Sequence, residues 1–401
     1  MRSYEKTHPW ITFKADLRPA PHTLWLLLGE ARSKCERVAG VPLKPDIAKK
    51  LNEVYLVKGV HGTAAIEGNS LSEEQIEQRI EGTLQVPPSK EYQAREIDNL
   101  VQSFNDILER LKKEGQPSEA ISCELIKSFN FSILKGLTLE DGVVPGQIRK
   151  HSVGVADYKG APAEDCEYLL LQLCNWLNRE DFDSDNSLGV AAAILKAIIG
   201  HLYIAWIHPF GDGNGRTARL VEFYLLVNAG VPVPSAHLLS DYYNTTRSEY
   251  YRNLSLASKS GGYILPFLQY ATTGFVEELR QQLEYIRAQQ WSIAWKDFVN
   301  EFFDDVGSSE THLRRKYLLL DLAKEAQPVP RGKLTQISAR VATYYARKTD
   351  KALTRDLNAL LGARLIARSK AGYRARRELI LAFLPPTWKA SRSGEVQPKR
   401  N

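Results

Sequence analysis

Apolar positions in this chain recur at helical spacing far more often than they alternate. The densest run, Ala191 to Ile207, is broken only by Gly200 and the polar side chains of Lys196 and His201, and it predicts a buried helix from about Leu188 to Ile207. Arg216 to Asn228 follows as a second helix, ended by Gly230 and the prolines at 232 and 234. Upstream, Leu24 to Leu28 starts a helix. Pro45-Asp46 opens another, which Gly68 and Asn69 stop. Ser72 and Gln75 have the spacing of a capping box. Glu91 to Lys113 is amphipathic, with Ile97, Leu100, Val101, Phe104, Ile107 and Leu108 on one side. Cys123 to Leu137, Cys166 to Leu177 and Ile264 to Trp295 are further helices. Gly142 to Asp165 breaks the pattern with glycines at 142, 146, 154 and 160, and Ile148 and Val153 to Val155 have strand character. The fold class is mainly α with a small β-hairpin.

A second module follows Gly307-Ser308-Ser309. Thr311 to Glu325 and Arg331 to Ala346 are helical. Thr349 caps a third helix that turns Leu353, Leu357 and Leu360 inward. Leu365 to Arg368 and Tyr373 to Arg376 flank Lys370-Ala371-Gly372 as a hairpin. Three helices followed by a hairpin is the order of a winged helix-turn-helix. Lys351, Arg355 and Asn358 would face outward, and Lys370, Arg374, Arg376 and Arg377 would furnish the wing.

Charge reinforces this division. Residues 311–401 hold 21 Lys/Arg and 6 Asp/Glu, a net of +15, leaving 32 and 41, a net of −9, for the rest. A basic module on an acidic body points to DNA or an acidic protein as partner, with a solvated basic face as the plain alternative. The four cysteines, Cys35, Cys123, Cys166 and Cys174, lack Cys-x-x-Cys spacing and no secretory segment opens the chain. Both point to reduced thiols in a cytoplasm and away from zinc. The polar residues at 196 and 201 argue that the apolar run is a core helix and that the chain does not cross a membrane.

The chemistry is concentrated in His208-Pro209-Phe210-Gly211-Asp212-Gly213-Asn214-Gly215-Arg216-Thr217-Ala218-Arg219. Glycines at alternate positions let backbone N–H groups close around an anion, and a helix starting there aims its free N–H groups at the same point. Arg216 and Arg219, three residues apart, share one helix face. An imidazole stands at the entrance and a carboxylate inside. This string resembles the Fic family signature, His-Pro-Phe-x-[Asp/Glu]-Gly-Asn-Gly-Arg-x-x-Arg, at every fixed position. The resemblance covers roughly residues 45 to 275, about 60% of the chain. Thr63-x-x-x-Glu67-Gly68 similarly resembles the inhibitory-helix motif [Ser/Thr]-x-x-x-Glu-[Gly/Asn] of self-restrained Fic proteins. The C-terminal module resembles the winged-helix appendage of many bacterial ones.

The resemblance implies a Fic-type helical core that transfers AMP from ATP to a Ser, Thr or Tyr hydroxyl of a target protein and of itself. It makes His208 the general base and Asp212 the ligand of Mg²⁺. Gly211, Gly213, Asn214, Gly215, Arg216 and Arg219 hold the phosphates. Phe210 anchors the loop in the core. Glu67, with Thr63, occupies Arg219 and restrains the reaction. Pro145-Gly146-Gln147-Ile148-Arg149 matches the lead-in to a hairpin flap that holds the target by strand addition, which makes Ser152, Val153, Gly154 and Val155 its candidates. Tyr250 and Tyr251, in a run resembling the segment near the adenine, serve either as nucleotide contacts or as core packing. The implied division is 1–110 (with the inhibitory helix at about 45–68), a catalytic core at 111–285, a linker helix at 286–310, a winged helix-turn-helix at 311–384 and a disordered tail at 385–401.

The intact glycines and arginines of the loop favour nucleotidyl transfer, and UMP or phosphocholine donors remain alternatives. A different class of reading is a transcriptional regulator whose Fic fold senses nucleotide while Lys351, Arg355, Arg374 and Arg376 contact DNA. A third makes the basic module a platform for homodimerisation or target docking.

Overall fold

A computed structural model describes residues 2–112, 120–155, 158–179, 189–305, 307 and 309–381. The segment 385–401, expected to be a disordered tail, lies outside them, as do Ala156 and Asp157 of the expected flap. The chain divides at Glu284/Tyr285 into two units.

The first unit is built around Gly189–Ile207, whose residues from Ala191 onward are nearly all buried. This helix is long and apolar enough to cross a membrane, but its burial inside the unit is that of a core helix. Asn214–Asn228 packs back against it after the loop. Around this pair stand His22–Ala39, Glu91–Leu111, Cys123–Leu134, Cys166–Leu177 and the part of Leu265–Asp304 that lies in this unit. Ile97, Leu100, Phe104 and Ile107 are buried as their spacing predicts. Val101 and Leu108 flank that stripe and are half-buried. Ser72 and Gln75 form the reciprocal capping box.

Pro45–Ile66 starts with Pro45 in its first turn and ends at Glu67, which is the C-cap; Gly68 follows at φ +98°, a backbone state that favours glycine. This helix lies against Leu238–Thr245 at a distance that admits no side chain at two points. A Cβ on Gly59 would stand 2.2 Å from His237 Nδ1, and one on Gly62 would stand 2.5 Å from the Ser240 carbonyl oxygen. Two effects compete in Gly62→Ala. Helix propensity favours alanine by about 1 kcal/mol. Overpacking costs about 1–3 kcal/mol, and the clashing atoms here are backbone, which cannot rotate away. The clash should win, and thermal unfolding should show Gly62→Ala melting several degrees below the wild type (about 2–4 °C per kcal/mol at this size). An unchanged or raised midpoint would mean that the two helices can separate freely.

In the second unit, Glu310–Leu322, Ala339–Tyr345 and Asp350–Gly362 precede the antiparallel pair Ile366–Ser369 and Gly372–Ala375. Leu353, Leu357 and Leu360 are buried. The segment expected to act as a linker is part of this unit's core. From the part of helix Leu265–Asp304 that lies in this unit, Trp295, Val299 and Phe303 pack with Leu318, Leu322, Leu357 and Ile366. The reason is compositional: its acidic residues alternate with aromatic ones at helical spacing, which a solvated linker would not carry. Asp356 is buried and accepts from Arg314, Arg315 and the Tyr345 hydroxyl at 2.6, 2.8 and 2.9 Å. Some of the module's positive charge is therefore structural.

Candidate active site

The loop between the two central helices is fixed from three sides. Ile148 forms an antiparallel bridge with Phe210, and the Arg149 amide donates to the Pro209 carbonyl at 3.0 Å. The buried Arg149 guanidinium donates to the carbonyls of His208 (2.7 Å), His151 (2.6 Å) and Ala161. From Cys123–Leu134, Asn130 Nδ2 donates to the Asp212 carbonyl at 2.9 Å and its Oδ1 accepts from the Gly146 amide at 2.9 Å. Phe210 is 1% exposed and anchors the loop, as expected.

The loop motif leads one to expect Asn214 to offer the phosphates a side-chain donor besides its N–H. Its side chain is buried and spent on the loop: Oδ1 accepts from the Phe210 amide and Nδ2 donates to the Phe210 carbonyl, both at 2.9 Å. What Asn214 offers an anion is its backbone N–H, with those of the following first-turn residues, which have no partner within the helix. Gly213 caps this helix at φ +76°.

His208 takes a left-handed backbone conformation, φ +51°, unusual for a residue with a side chain. Its Nδ1 faces the Ala205 carbonyl at 3.4 Å. Nδ1 is then the protonated nitrogen and Nε2 carries the lone pair. Burial pulls the imidazole down to about 4, with the charge of Arg149 adding to the effect. The ring is neutral at physiological pH. The hairpin Gly154–Val155/Tyr158–Lys159 stands beside it, with Gly154 opposite Lys159. Ser152 and Gly154 are exposed and Val153 is half-buried. The hairpin's exit passes so close that a Cβ on Gly160 would lie 2.7 Å from His208 Cβ, and the Tyr158 hydroxyl donates to the Trp206 carbonyl at 2.8 Å.

The two arginines are held by carboxylates. Arg216 reaches Glu96 at 2.6 Å and Asp212 at 2.9 Å. Arg219 is fully buried; its Nη2 donates to Glu67 Oε1 at 2.6 Å and to the Thr63 carbonyl at 3.0 Å. Glu67, one-third exposed at 32%, also covers the loop, since a Cβ on Gly215 would stand 2.3 Å from its Oε1. Burial raises the Glu67 carboxyl, but Arg219 and the hydrogen bond from it outweigh that and hold it below the ordinary 4.5. Arg219 Nε and Nη1, and Arg216 Nε, are buried without a partner among the described residues. Thr63 contributes its carbonyl; its buried hydroxyl has no partner among the described residues.

The two tyrosines separate. Tyr250 is core: 3% exposed, stacked on Tyr243 at 4.8 Å, with its hydroxyl 2.9 Å from His201 Nε2. His201 and Tyr243 both meet buried Glu222, at 3.3 and 2.9 Å. Tyr251 stays 40% exposed, and its hydroxyl donates to the Ile66 carbonyl at 3.2 Å, where Arg247 also donates. These two residues pin the turn that carries Glu67. Asp212 offers one partly exposed carboxylate, whose Oδ1 already accepts from Arg216 and the Gly213 amide. Among the described residues no group of three His, Cys, Asp or Glu side chains forms a metal cage. One hard oxygen ligand suits Mg²⁺ that arrives with phosphates to complete its shell.

In the second unit, Lys351 and Arg355 are exposed one turn apart and meet no carboxylate among the described residues. Arg374 and Arg376, expected to furnish the wing, are paired with Glu378 at 2.9 and 3.2 Å. Glu378 sits just past the strand, four and two residues from its partners.

Sequence reasoning misses Glu96, Asn130 and Arg247, and takes Arg149 only as the end of the lead-in to the hairpin. Glu96 and Asn130 left a signal: each is a polar side chain on the buried stripe of an amphipathic helix.

A Fic/DOC family model matches residues 120–226. The chain is 30% identical over 227 residues to protein adenylyltransferase fic-1 of Caenorhabditis elegans, spanning 56% of this chain and 40% of that protein. It is 27% identical over 246 residues to protein adenylyltransferase Fic of Nematostella vectensis, spanning 61% and 52%. The chain thus spans about half or less of the length of these curated relatives. Among solved structures, a fragment of C. elegans Fic-1 superposes with a TM-score of 0.54 at 24% identity, over 67% of this chain and 74% of that one. A Fic family protein of Desulfovibrio desulfuricans superposes with a TM-score of 0.54 at 19% identity, over 90% and 97%. These likenesses extend the shared fold well beyond residues 120–226, the segment that the Fic/DOC family model matches.

Proposed function

We propose that this chain is a protein adenylyltransferase that moves AMP from ATP onto a protein hydroxyl, and that Glu67 holds it in check. The observation that carries the reading is Arg219. A fully buried guanidinium with two nitrogens unpartnered among the described residues, beside a helix N-terminus, is half of an anion site, and Glu67 fills only part of it. The relatives named adenylyltransferases support ATP as the donor.

The residues divide the work. The first-turn N–H groups after Gly213 and the two arginines hold the phosphates. The hairpin offers a strand edge to the target segment, next to His208. His208 Nε2 takes the proton as the target oxygen bonds to the α-phosphorus and pyrophosphate leaves. Asp212 would hold Mg²⁺, which, when bound, neutralises phosphate charge. Tyr251, rather than Tyr250, is the ring left open to a base.

The test is a lysate incubated with the Glu67→Gly protein and ATP labelled at the α- or the γ-phosphate. Label transferred from the α position alone supports the reading. Label from γ alone makes the chain a kinase, and none from either ends the proposal.

A second reading rests on exposed Lys351 and Arg355, which give the helix Asp350–Gly362 a basic face that meets no carboxylate among the described residues. We expect the full chain to shift duplex DNA at low salt, with affinity falling linearly in log–log form as salt rises and the slope reduced by about one per lysine or arginine removed. A mobility shift unchanged in Lys351→Ala/Arg355→Ala would exclude this face.

A further inference from the structure

Two residues beyond Glu67 the chain makes a second connection to the loop. Asn69 is buried and its side chain is fully used. Oδ1 accepts from the Leu71 amide at 3.1 Å; Nδ2 donates to the Gln93 carbonyl at 3.0 Å and to Glu96 Oε2 at 2.8 Å. The other Glu96 oxygen accepts from Arg216 Nη1 at 2.6 Å, and Arg216 Nη2 reaches Asp212. The side chains of Arg216 and Glu96 are each 5% exposed, whereas that of Asp212 is 40% exposed.

We infer that Glu96, oriented by Asn69, is a positioning residue that sets the Arg216 guanidinium for an outer phosphate of the nucleotide. This rests on the loop being a nucleoside-triphosphate site. Arg216 is shared by two carboxylates with different standing. Asp212 lies on the open side, where an arriving phosphate competes with it. Glu96 is buried on the other nitrogen and stays. The guanidinium therefore meets the phosphate already fixed in place, with less side-chain freedom left to lose. The position calls for a group with acceptors on both sides, because Arg216 and Asn69 both donate to it. A glutamine would turn an N–H toward one of those donors. Asn69 cannot flip to compensate, since its Oδ1 is held by the Leu71 amide.

The end of the inhibitory helix is thus wired to the loop twice, with opposite consequences. Glu67 obstructs Arg219; Asn69, through Glu96, prepares Arg216.

Charge alone and positioning predict opposite signs. If Glu96 only repelled phosphate, removing its charge would tighten ATP binding. If it positions Arg216, removal loosens ATP and spares AMP, which lacks the outer phosphates. The test is calorimetric titration of the full chain carrying Glu67→Gly, to clear the site, and His208→Ala, to prevent turnover, with ATP or AMP in Mg²⁺. Glu96→Gln should weaken ATP about tenfold, the scale of one charge-assisted hydrogen bond, while AMP stays within about twofold. Asn69→Ala should move ATP the same way, opposite to Glu67→Gly. Unchanged or tighter ATP binding overturns the inference, and so does an equal loss of both nucleotides. If the parent protein itself binds no ATP, the reading of the loop fails instead.

Discussion

Glu67→Gly is expected to raise the rate at which the chain labels itself from ATP by about 10- to 10²-fold at subsaturating nucleotide. The estimate follows from what a phosphate must displace. A hydrogen bond to a charged partner contributes about 1.5–3 kcal/mol, and each 1.4 kcal/mol is a factor of ten. Glu67 gives Arg219 one such bond at 2.6 Å. The same change should lower stability, because it leaves the buried Arg219 with the Thr63 carbonyl as its only hydrogen-bond partner among the described residues. ATP should restore much of the lost melting temperature, since a ligand that binds only the folded state stabilises it in proportion to its saturation. Labelling rates and melting curves with and without ATP check both halves. A variant that labels no faster than wild type refutes the inhibitory role. Acid is a poor release signal. The Glu67 carboxyl is held below 4.5, so its contribution is complete above the unfolded value and is lost only as the pH falls through the lower, folded one. A competing anion at Arg219, or a partner that shifts the turn, is the physically available release. Movement of the whole helix is not, because Gly59 and Gly62 let it close onto Leu238–Thr245 without intervening side chains.

What the sequence made legible was local. The loop's chemistry lies within twelve consecutive residues, and the glycines of Gly-Asp-Gly-Asn-Gly mark a tight loop between two helices. The helix bearing Thr63 and Glu67 announces both ends, by Pro45 and Gly68, so its placement needed no tertiary knowledge. Partners distant in sequence were another matter. Glu96 meets Arg216 across 120 positions; its place on the buried stripe marks a polar side chain that needs a partner, but nothing in the run Glu91 to Leu111 says which partner. Tyr250 and Tyr251 are adjacent, and spacing alone could not decide which enters the core. Burial decided it, through the stack on Tyr243 and the bond to His201. Asn214 shows a different limit. A side-chain amide in a phosphate loop can serve the ligand or the loop, and only the reciprocal bonds with Phe210 reveal which. In the C-terminal unit the formal charge overstated the free charge, because Arg314, Arg315, Arg340, Arg374 and Arg376 are paired within the fold.

His208→Ala in the Glu67→Gly background should cut transfer by about 10²- to 10⁴-fold, the usual contribution of a general base, while ATP binding stays unchanged. The separation is expected because the hydrogen bond of the His208 ring goes to the Ala205 carbonyl in the preceding helix, whereas the phosphates are assigned to the helix N-terminus and the arginines. Position 208 sits at φ +51°, so alanine adds backbone strain. His208→Asn is the control, since asparagine tolerates that conformation yet cannot accept a proton. Both variants should bind ATP and neither should transfer. The pH dependence follows from the imidazole being pulled down to about 4 from 6.5 by burial. A neutral base is then available throughout the neutral range, and no fall in kcat/KM attributable to this group should occur until the pH approaches 5. Stability follows the same sign. The unfolded chain takes up the proton first, so this group's contribution is complete above 6.5 and is lost as the pH falls toward 4. An NMR titration of the His208 ring, assigned by its disappearance in His208→Ala, reads this directly. A midpoint at or above 6.5 would mean the imidazole is largely solvated and only partly available as a base near neutrality. Transfer retained by His208→Asn would remove it from the mechanism altogether.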